Sequence, residues 1–326
     1  MPKVPPGIRG AAITGWGTAL PDQVVTNHDL ERTLDTNHEW IVERTGIRER
    51  RVGGTTAGLS VEAGRKAIER AGLQPGDIDA LILATTTPDR VVPGTSSTVQ
   101  HALGLTCGAY DLNAACSGWV YGLVNAHGLI ALGAEKVLVI GTDTLARITD
   151  WDDRNTAILF ADGSGAAVLE AVEGSGQLLG WDLSADGSAE GALYAEVGGK
   201  LQMEGREVFR RAVRIMVESA TASMEAAGVT ADDLALVVPH QANIRIIAAS
   251  CERLGVELER ASIVLDRTGN TSAASIPLAL ADALDRGRIC EGDLVLFVGF
   301  GAGMTAASAV VRWSAPVPSA ADGTAS

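Results

Sequence analysis

The residues of this sequence best suited to chemistry are a cysteine, a histidine and an asparagine that lie far apart. Cys116 occurs in the run Asp-Leu-Asn-Ala-Ala-Cys-Ser-Gly, His240 in Val-Pro-His-Gln-Ala-Asn and Asn270 in Thr-Gly-Asn-Thr-Ser. A thiol can attack a carbonyl carbon, while an imidazole and a side-chain amide can donate hydrogen bonds to a carbonyl oxygen. Together these groups are suited to thioester chemistry. More than a hundred positions separate Cys116 from His240, so only the fold can bring them together.

The flanking residues indicate how each group is presented. Cys116 precedes an apolar helical stretch, Gly118–Leu132, which places the sulfur near a helix N-terminus, where backbone N–H groups and the helix dipole stabilise a thiolate. His240 follows the apolar run Ala235–Val238 and is expected at the carboxyl end of a strand, where open α/β sheets place their sites. Asn270 follows a glycine, and because Gly-Asn is also a common turn dipeptide, its spacing alone leaves a turn role open.

The elements that must position these residues alternate between strands and helices. Five short apolar runs are predicted to be buried strands: Ala80–Ala84, Val137–Gly141, Ala157–Phe160, Ala235–Val238 and Leu294–Gly299. Five further segments have helical patterns: Val61–Ala71, Gly118–Leu132, Glu207–Ala227, Ile244–Leu254 and Ile276–Arg286. This alternation predicts an α/β fold with a largely parallel sheet covered on both faces.

An internal repeat divides the chain into related halves. The run Val137–Gly141 matches Val295–Gly299 at an offset of 158 residues, and an Ala-Gly-Leu motif at 71–73 matches Ala-Gly-Val at 227–229 at an offset of 156. Two matches at nearly one offset predict a duplicated α/β unit. In that register Cys116 falls opposite Ala274, so the halves are expected to present the cysteine and Asn270 from equivalent strand-to-helix junctions.

Composition narrows the class of protein. The chain has 326 residues, of which 46% are hydrophobic and 20% charged, so it can bury a large core. Its net charge of −14 argues against nucleic-acid binding and against attraction to anionic membranes, and no apolar run is long enough to span a membrane. The four cysteines show no CxxC or Cys/His spacing, so no metal site is predicted. We expect a cytoplasmic protein with a disordered tail at 314–326.

Five motifs, in this order, are typical of one known family: Glu39–Arg48, Ala114–Gly118, Val238–Asn243, Thr268–Pro277 and Gly299–Met304. From about Ala11 to Trp313 the chain resembles the thiolase-like condensing enzymes, and among them the β-ketoacyl-[acyl-carrier-protein] synthase III family. The resemblance implies a thiolase-like α/β fold, with two duplicated halves (10–172, which carries the cysteine, and 173–313, which carries the histidine and asparagine) packed as a five-layer αβαβα sandwich. It also implies a homodimer and no metal or redox cofactor.

The resemblance implies a two-step reaction that initiates fatty-acid synthesis. Cys116 would accept the acyl group of an acyl-CoA primer, and malonyl-[acyl-carrier-protein] would then lose carbon dioxide and condense with that group to give 3-oxoacyl-[acyl-carrier-protein]. His240 and Asn270 would donate hydrogen bonds to the malonyl thioester oxygen, where charge appears only in the transition state. The backbone N–H groups of Cys116 and Ala302 would form a second oxyanion hole, which requires a φ at Ala302 that alanine can adopt.

The resemblance also implies where coenzyme A binds. Trp40 would stack on the adenine, with Arg154 on the opposite face of the base, and Thr36 and Arg44 would lie near the phosphates. An arginine over an aromatic plane is a favourable stack, and the guanidinium fork suits phosphate oxygens. Trp40 on its own is equally typical of a core tryptophan.

The resemblance also implies that four arginines dock the acidic acyl carrier protein: Arg210, Arg214, Arg245 and Arg253. Arg206, Arg210 and Arg214 recur every four residues and therefore share one helix face. A charged stripe is also typical of a solvated helix face. In a chain with a net charge of −14, however, a basic cluster favours an acidic partner.

The resemblance implies that Val92 and Phe160 line the acyl pocket, with Val92, in the loop 88–93, reaching it from the partner subunit. Val92 is smaller than the phenylalanine of some acetyl-selective relatives, so we expect branched or longer primers, although one methylene is worth only about 1–3 kcal/mol. Two alternatives stay open: a related enzyme of polyketide or other secondary metabolism, which primes a pathway or transfers acyl groups to oxygen or nitrogen, and a catalytically silent subunit. The presence of Cys116, His240 and Asn270 together favours condensation over both.

Overall fold

The computed structural model describes residue 4 and residues 7–174 and 176–314. In that part of the chain the strands are β1 (Gly10–Ala19), β2 (Val24–Thr26), β3 (Glu49–Arg51), β4 (Ala80–Ala84), β5 (Gly108–Leu112), β6 (Lys136–Thr144), β7 (Asp162–Val172), β8 (Leu178–Ser184), β9 (Leu193–Tyr194), β10 (Gln202–Met203), β11 (Leu234–Pro239), β12 (Leu294–Gly301) and β13 (Thr305–Arg312). The helices are α1 (Asn27–Glu31), α2 (His38–Thr45), α3 (Thr56–Arg70), α4 (Thr95–Leu103), α5 (Gly118–Ala131), α6 (Arg154–Ala157), α7 (Gly205–Ala227), α8 (Ile244–Leu254), α9 (Leu265–Thr268) and α10 (Ser275–Asp285).

Two sheets with matching strand order lie in the two halves of the chain. The first has the order β1-β7-β6-β4-β5 and the second the order β8-β13-β12-β11. In the first sheet β4 is parallel to β5 and β6, and in the second β11 is parallel to β12, whereas the remaining neighbours are antiparallel. A parallel bridge between Val237 and Ala261 takes the place of a fifth strand beside β11. The matching order and directions confirm the predicted duplication.

The sheets are mixed rather than largely parallel, which corrects the expectation from the alternating pattern. The connection from β12 to β13 shows why. It consists only of Ala302–Met304, and so short a connection can join only antiparallel neighbours, because parallel strands need a crossover of a dozen or more residues.

Helices form three layers around the two sheets. In the middle, α5 contacts β4, β6 and β13, while α10 contacts β7 and β11. On the outside, α3 and α4 cover the first sheet, and α7 and α8 pack in the core of the second. Trp119 of α5 meets Phe297 of β12 edge to face, with ring centroids 5.5 Å apart, so the middle layer joins both sheets. The predicted five-layer αβαβα sandwich is confirmed.

The predicted strand Ala157–Phe160 is wrong. Ala157 ends helix α6, and a turn leads to Phe160, which makes one isolated parallel bridge with Asn270. Asp153 begins the helix, because its side chain accepts a hydrogen bond from the backbone N–H of Asn155. The run is almost wholly buried, and periodicity alone does not separate a short buried strand from a short buried turn.

The register of the repeat also needs a correction of one residue. Ala115 (φ 48°) and Ser272 (φ 51°) occupy equivalent left-handed positions in the two halves. Cys116 therefore corresponds to Ala273 rather than to Ala274. The two matched sequence motifs have offsets that differ by two residues. The offset between the two turns lies between those two values.

The part of the chain that the structure describes contains no helix both long and apolar enough to cross a membrane. It likewise contains no cluster of His, Cys, Asp and Glu side chains that could hold a metal ion. Residues 315–326, nearly all of the predicted tail, lie outside the described residues.

Candidate active site

One cavity of about 770 Å³ brings together side chains from both halves of the chain. Cys116 comes from the first half, and His240 and Asn270 come from the second. Of the residues predicted from the sequence, those that line this cavity are Trp40, Arg44, Cys116, Arg154, Phe160, His240, Arg245 and Asn270. The fold therefore joins the thiol, the imidazole and the amide in one space.

Cys116 lies in a tight turn between β5 and α5. Ala115, just before it, has a φ of 48°, which is strained for a residue with a side chain and recurs at functional sites. The side-chain oxygen of Asn113 accepts a hydrogen bond from the N–H of Ala115 (3.2 Å). The turn is also tied to the second half, because Thr305 Oγ1 donates to the Ala114 carbonyl (2.9 Å). The position of the sulfur is thus fixed from both sides.

The half-buried Cys116 sulfur is protonated at rest. Burial raises the pKa of this thiol to about 12; the nearby Ser272 side chain lowers it and the negative charge of Asp143 raises it further. The thiolate expected from the helix N-terminus is therefore not the resting form, since desolvation outweighs the polar contacts. The thiol proton must leave as the sulfur attacks a carbonyl.

His240 directly follows β11 and is almost completely buried, with 1% of its surface exposed. Its ring Nδ1 lies 2.7 Å from Ser275 Oγ, and its ring meets Phe300 edge to face at 5.6 Å. Burial lowers the pKa of the imidazole to about 3, because the charged form loses its hydration. His240 is therefore a neutral group with one ring N–H to donate.

Asn270 is held so that its amide nitrogen is available. Its side-chain oxygen accepts a hydrogen bond from the backbone N–H of Ser272 (3.0 Å). A backbone N–H can only donate, so the partner atom must be the amide oxygen, and the NH₂ group is left to donate elsewhere. Gly269 precedes it at φ 69°, where a Cβ would lie 2.9 Å from Ala161 Cβ, so only glycine fits this approach to Asn270.

The run Gly301-Ala302-Gly303 lies against the Cys116 backbone. A Cβ on Gly301 would be 2.6 Å from the Cys116 nitrogen, and Gly303 has a φ of 69°. Ala302 is not among the residues with a left-handed φ, so its conformation is one that alanine adopts without strain. Glycine thus occupies the two positions that need it, Gly301 and Gly303. The backbone conformation at Ala302 is compatible with the predicted oxyanion hole of the Cys116 and Ala302 N–H groups.

The residues predicted to bind coenzyme A differ in their contacts. The guanidinium groups of Arg44 and Arg154 each lie 5.1 Å from the centre of the Trp40 ring, and Arg154 also donates to the Asp35 carbonyl (2.7 Å). Arg154 thus lies against Trp40, and the stacking of adenine between these two side chains stays a prediction. Thr36 does not line the cavity.

Of the four predicted docking arginines, only Arg245 lines the cavity. Arg245 lines the cavity and lies over the Phe209 ring at 5.4 Å. On α7, Arg210 pairs with Glu207 and Arg214 with Glu218, so part of their charge is neutralised locally. Arg253 lies exposed near the end of α8. Arg206, which the spacing also singled out, lines the cavity itself.

The two predicted acyl-pocket residues lie apart within one chain. Phe160 lines the cavity and is buried, whereas Val92 is 81% exposed and does not line it. The predicted contact of Val92 with a partner subunit stays a prediction.

Several lining residues were not found from the sequence. They include Leu193, Met203, Phe209, Asn243, Ile246 and Phe300. Met203 and Leu193 come from the small β9–β10 sheet, whose two-residue strands give no periodic signal. Asn243 was detectable, because an Asn before an apolar helical stretch is a typical N-cap, and here its amide donates to the Arg44 carbonyl (2.9 Å).

Comparison with known proteins gives one consistent family. The model of the 3-oxoacyl-[acyl-carrier-protein] synthase III family matches residues 110–187, and the model of its C-terminal part matches residues 224–313. The β-ketoacyl-[acyl-carrier-protein] synthase III of Roseiflexus castenholzii is 49% identical over 325 residues, which cover 94% of this chain and 98% of the relative.

Solved structures agree. The β-ketoacyl-[acyl-carrier-protein] synthase III from Thermus thermophilus is 48% identical with a TM-score of 0.88, over 94% of this chain and all of that one. The priming β-ketosynthase of the R1128 polyketide pathway is 35% identical with a TM-score of 0.90, over 96% and 98% of the two chains. The predicted resemblance is confirmed: this chain belongs to the 3-oxoacyl-[acyl-carrier-protein] synthase III family of condensing enzymes.

Proposed function

We propose that this protein condenses an acyl-CoA primer with malonyl-[acyl-carrier-protein], with loss of carbon dioxide, to give 3-oxoacyl-[acyl-carrier-protein] and initiate fatty-acid synthesis. The single observation that carries the assignment of residues is the shared cavity. It holds one thiol together with two neutral hydrogen-bond donors.

In the first step the Cys116 sulfur attacks the thioester carbonyl of the primer. A carbon–sulfur bond forms, and coenzyme A leaves as its thiol with the proton that Cys116 gives up. The oxyanion of the tetrahedral intermediate is stabilised by the backbone N–H groups of Cys116 and Ala302. Trp40, Arg44 and Arg154, which share the cavity, would hold the adenine and phosphates of the departing coenzyme A.

In the second step the bond between the carboxylate and the malonyl α-carbon breaks, and carbon dioxide leaves. The electron pair moves onto the thioester oxygen, where His240 and Asn270 donate hydrogen bonds to the enolate. The enolate carbon then attacks the acyl-Cys116 carbonyl, and the carbon–sulfur bond breaks. The sulfur leaves as a thiolate, and it takes a proton from solvent to restore the resting thiol. Neutral donors suit this step because they meet a charge that appears only during the reaction.

The partner surface we propose lies on the basic side of the cavity. Arg206 and Arg245 line the cavity, and Arg210 lies near Arg206 on α7. Within the described residues, none of Arg206, Arg245 and Arg253 forms an ion pair, whereas Arg210 pairs with Glu207. An acidic carrier protein would be attracted here and oriented toward the cavity.

We also propose a homodimer in which the loop 88–93 enters the partner's acyl pocket. Val91 and Val92 are 84% and 81% exposed, and Tyr110 on the edge strand β5 is 39% exposed. Exposed apolar groups beside an open strand edge favour pairing with a second copy. With Val92 as the pocket's end, branched or longer primers are the expected substrates.

An assay with malonyl-[acyl-carrier-protein] and a panel of acyl-CoAs tests the proposal. Mass spectrometry should find an acyl adduct on Cys116 and a 3-oxoacyl product. The relation to a polyketide priming enzyme makes secondary metabolism the second candidate, and a preference for unusual primers would favour it. An adduct without condensed product would instead indicate simple acyl transfer.

A further inference from the structure

We infer that Ser275 fixes the tautomer of His240, because its hydroxyl donates to Nδ1 and so leaves the proton on Nε2, the nitrogen directed to the cavity. This inference rests on the proposed function and names a positioning residue for its second step. Ser275 does not line the cavity and has no contact with substrate in this scheme.

The hydrogen bonds of Ser275 decide the direction of donation. Its Oγ lies 2.7 Å from His240 Nδ1, and the backbone N–H of Gln241 donates to the same oxygen (3.3 Å). A serine hydroxyl has one proton to donate. Among the residues the structure describes, no acceptor for that proton other than Nδ1 is within hydrogen-bond distance. The hydroxyl therefore donates to the ring.

The opposite arrangement would leave a polar group unsatisfied. If Nδ1 carried the proton and donated to Ser275 Oγ, the hydroxyl proton would have no partner in a place where Ser275 is completely buried. Unpaired buried donors are unfavourable and rare in folded proteins. The Nδ1-protonated ring would also turn a bare Nε2 lone pair toward the enolate oxygen, which would repel the developing charge.

The surroundings fix where the imidazole lies by other means. The His240 backbone N–H donates to the Val298 carbonyl (2.8 Å). The neighbouring Gln241 side chain donates to Pro239 and Ser262 and accepts from the backbone of Val264. These bonds hold the segment in addition to the one from the Gln241 N–H to Ser275 Oγ, so the contribution that Ser275 makes to the ring itself is its tautomer.

The equivalent position in the other half makes the same point. Ser275 begins α10 as Gly118 begins α5, and no histidine of the first half lines the cavity. Asn270 is oriented in a comparable way, through its bond from the Ser272 N–H. Each of the two proposed donors thus has one partner that turns an N–H toward the cavity.

The test uses the full-length protein with Ser275→Ala, and Ser275→Thr as a conservative control that keeps the hydroxyl. Malonyl decarboxylation should fall about tenfold in Ser275→Ala, in line with loss of one correctly directed hydrogen bond. Acylation of Cys116 should stay within about twofold, because it uses backbone donors. Ser275→Thr should recover most of the decarboxylation rate.

Nitrogen-15 NMR of His240 in the wild-type protein gives a readout that a purely structural role would not move. The expected spectrum shows a protonated Nε2 and an unprotonated Nδ1 that accepts a hydrogen bond. A protonated Nδ1 in the wild-type protein overturns the inference, and so does equal loss of both steps in a folded Ser275→Ala protein. A wild-type protein that forms no Cys116 adduct and no product would contradict the proposed function, while the NMR result still decides the tautomer.

Discussion

Two turns of this molecule have the same backbone conformation but carry side chains with different chemistry. In the first half, Asn113 accepts from the N–H of Ala115, a residue with left-handed φ, and Cys116 follows. In the second half, Asn270 accepts from the N–H of Ser272, again with left-handed φ, and Ala273 follows. Each turn leads through a short 3₁₀ segment into a middle-layer helix.

The difference lies in which side chain each turn exposes to the cavity. Cys116 and Asn270 line it, whereas Asn113 is exposed at the surface and Ala273 is buried without a functional group. One half has kept the nucleophile and the other the amide. The comparison teaches that a duplicated fold can divide a reaction between its halves by exchanging side chains on an unchanged turn.

The turns meet because each packs against a glycine of the other half. A Cβ on Gly301 would be 2.6 Å from the Cys116 nitrogen, and a Cβ on Gly141 would collide with the Ala273 carbonyl. Both glycines lie on central strands, β12 and β6, where the absence of a side chain allows close approach of another backbone. This reciprocal contact brings sites separated in sequence into one cavity.

We expect the largest effect from removing the Cys116 thiol, which is found only in the first turn. Cys116→Ala should abolish the acyl adduct and slow condensation by at least about a thousandfold, because no other residue replaces the nucleophile. Malonyl decarboxylation should persist, since His240 and Asn270 remain. Intact-protein mass spectrometry and carbon dioxide release measure the two steps, and Cys290→Ala, at an exposed cysteine, is the control.

Replacing the two turn asparagines compares the halves directly. Asn270→Ala removes an oxyanion donor and should slow decarboxylation by about 10²–10³-fold while the Cys116 adduct still forms. Asn113→Ala removes the same turn hydrogen bond but no cavity group. It should cost about 1 kcal/mol of unfolding free energy and leave decarboxylation within a few-fold. Equal kinetic losses in both variants would contradict the proposed division of labour.

Gly301→Ala should damage the first step more than the second. The added methyl meets the Cys116 nitrogen at 2.6 Å, so the Cys116 turn must shift, and we expect acylation to slow about 10- to 100-fold. Ala302→Gly keeps the backbone N–H and is the matched control, with acylation within about threefold. Single-turnover acylation with a labelled acyl-CoA separates the two results.

The repeated apolar runs predicted the duplication, and the family resemblance carried by the motifs around Cys116, His240 and Asn270 implied the layers and the meeting of these three residues. The sequence did not predict the resting thiol at Cys116, since the desolvation that raises its pKa depends on how the folded chain surrounds the sulfur. Nor did it reveal Ser275. Its contact with His240 spans 35 positions, and a serine at the start of a helix has no feature that separates it from an ordinary polar residue.

The smallest expected effect concerns the strain that the two turns share. Ala115→Gly relieves a left-handed φ, and the relief is partly offset by the greater freedom of glycine in the unfolded chain, so unfolding free energy should rise by about 0–1 kcal/mol. At the second turn the matching comparison is between the two variants Ser272→Ala and Ser272→Gly. Their difference in unfolding free energy measures the change from alanine to glycine without the effect of the serine hydroxyl. Because the two φ angles are 48° and 51°, the two values should agree within about 0.5 kcal/mol in urea denaturation. Disagreement beyond that would mean that the turns are alike in conformation but not in strain, and that the packing around one half opposes its backbone more than the packing around the other.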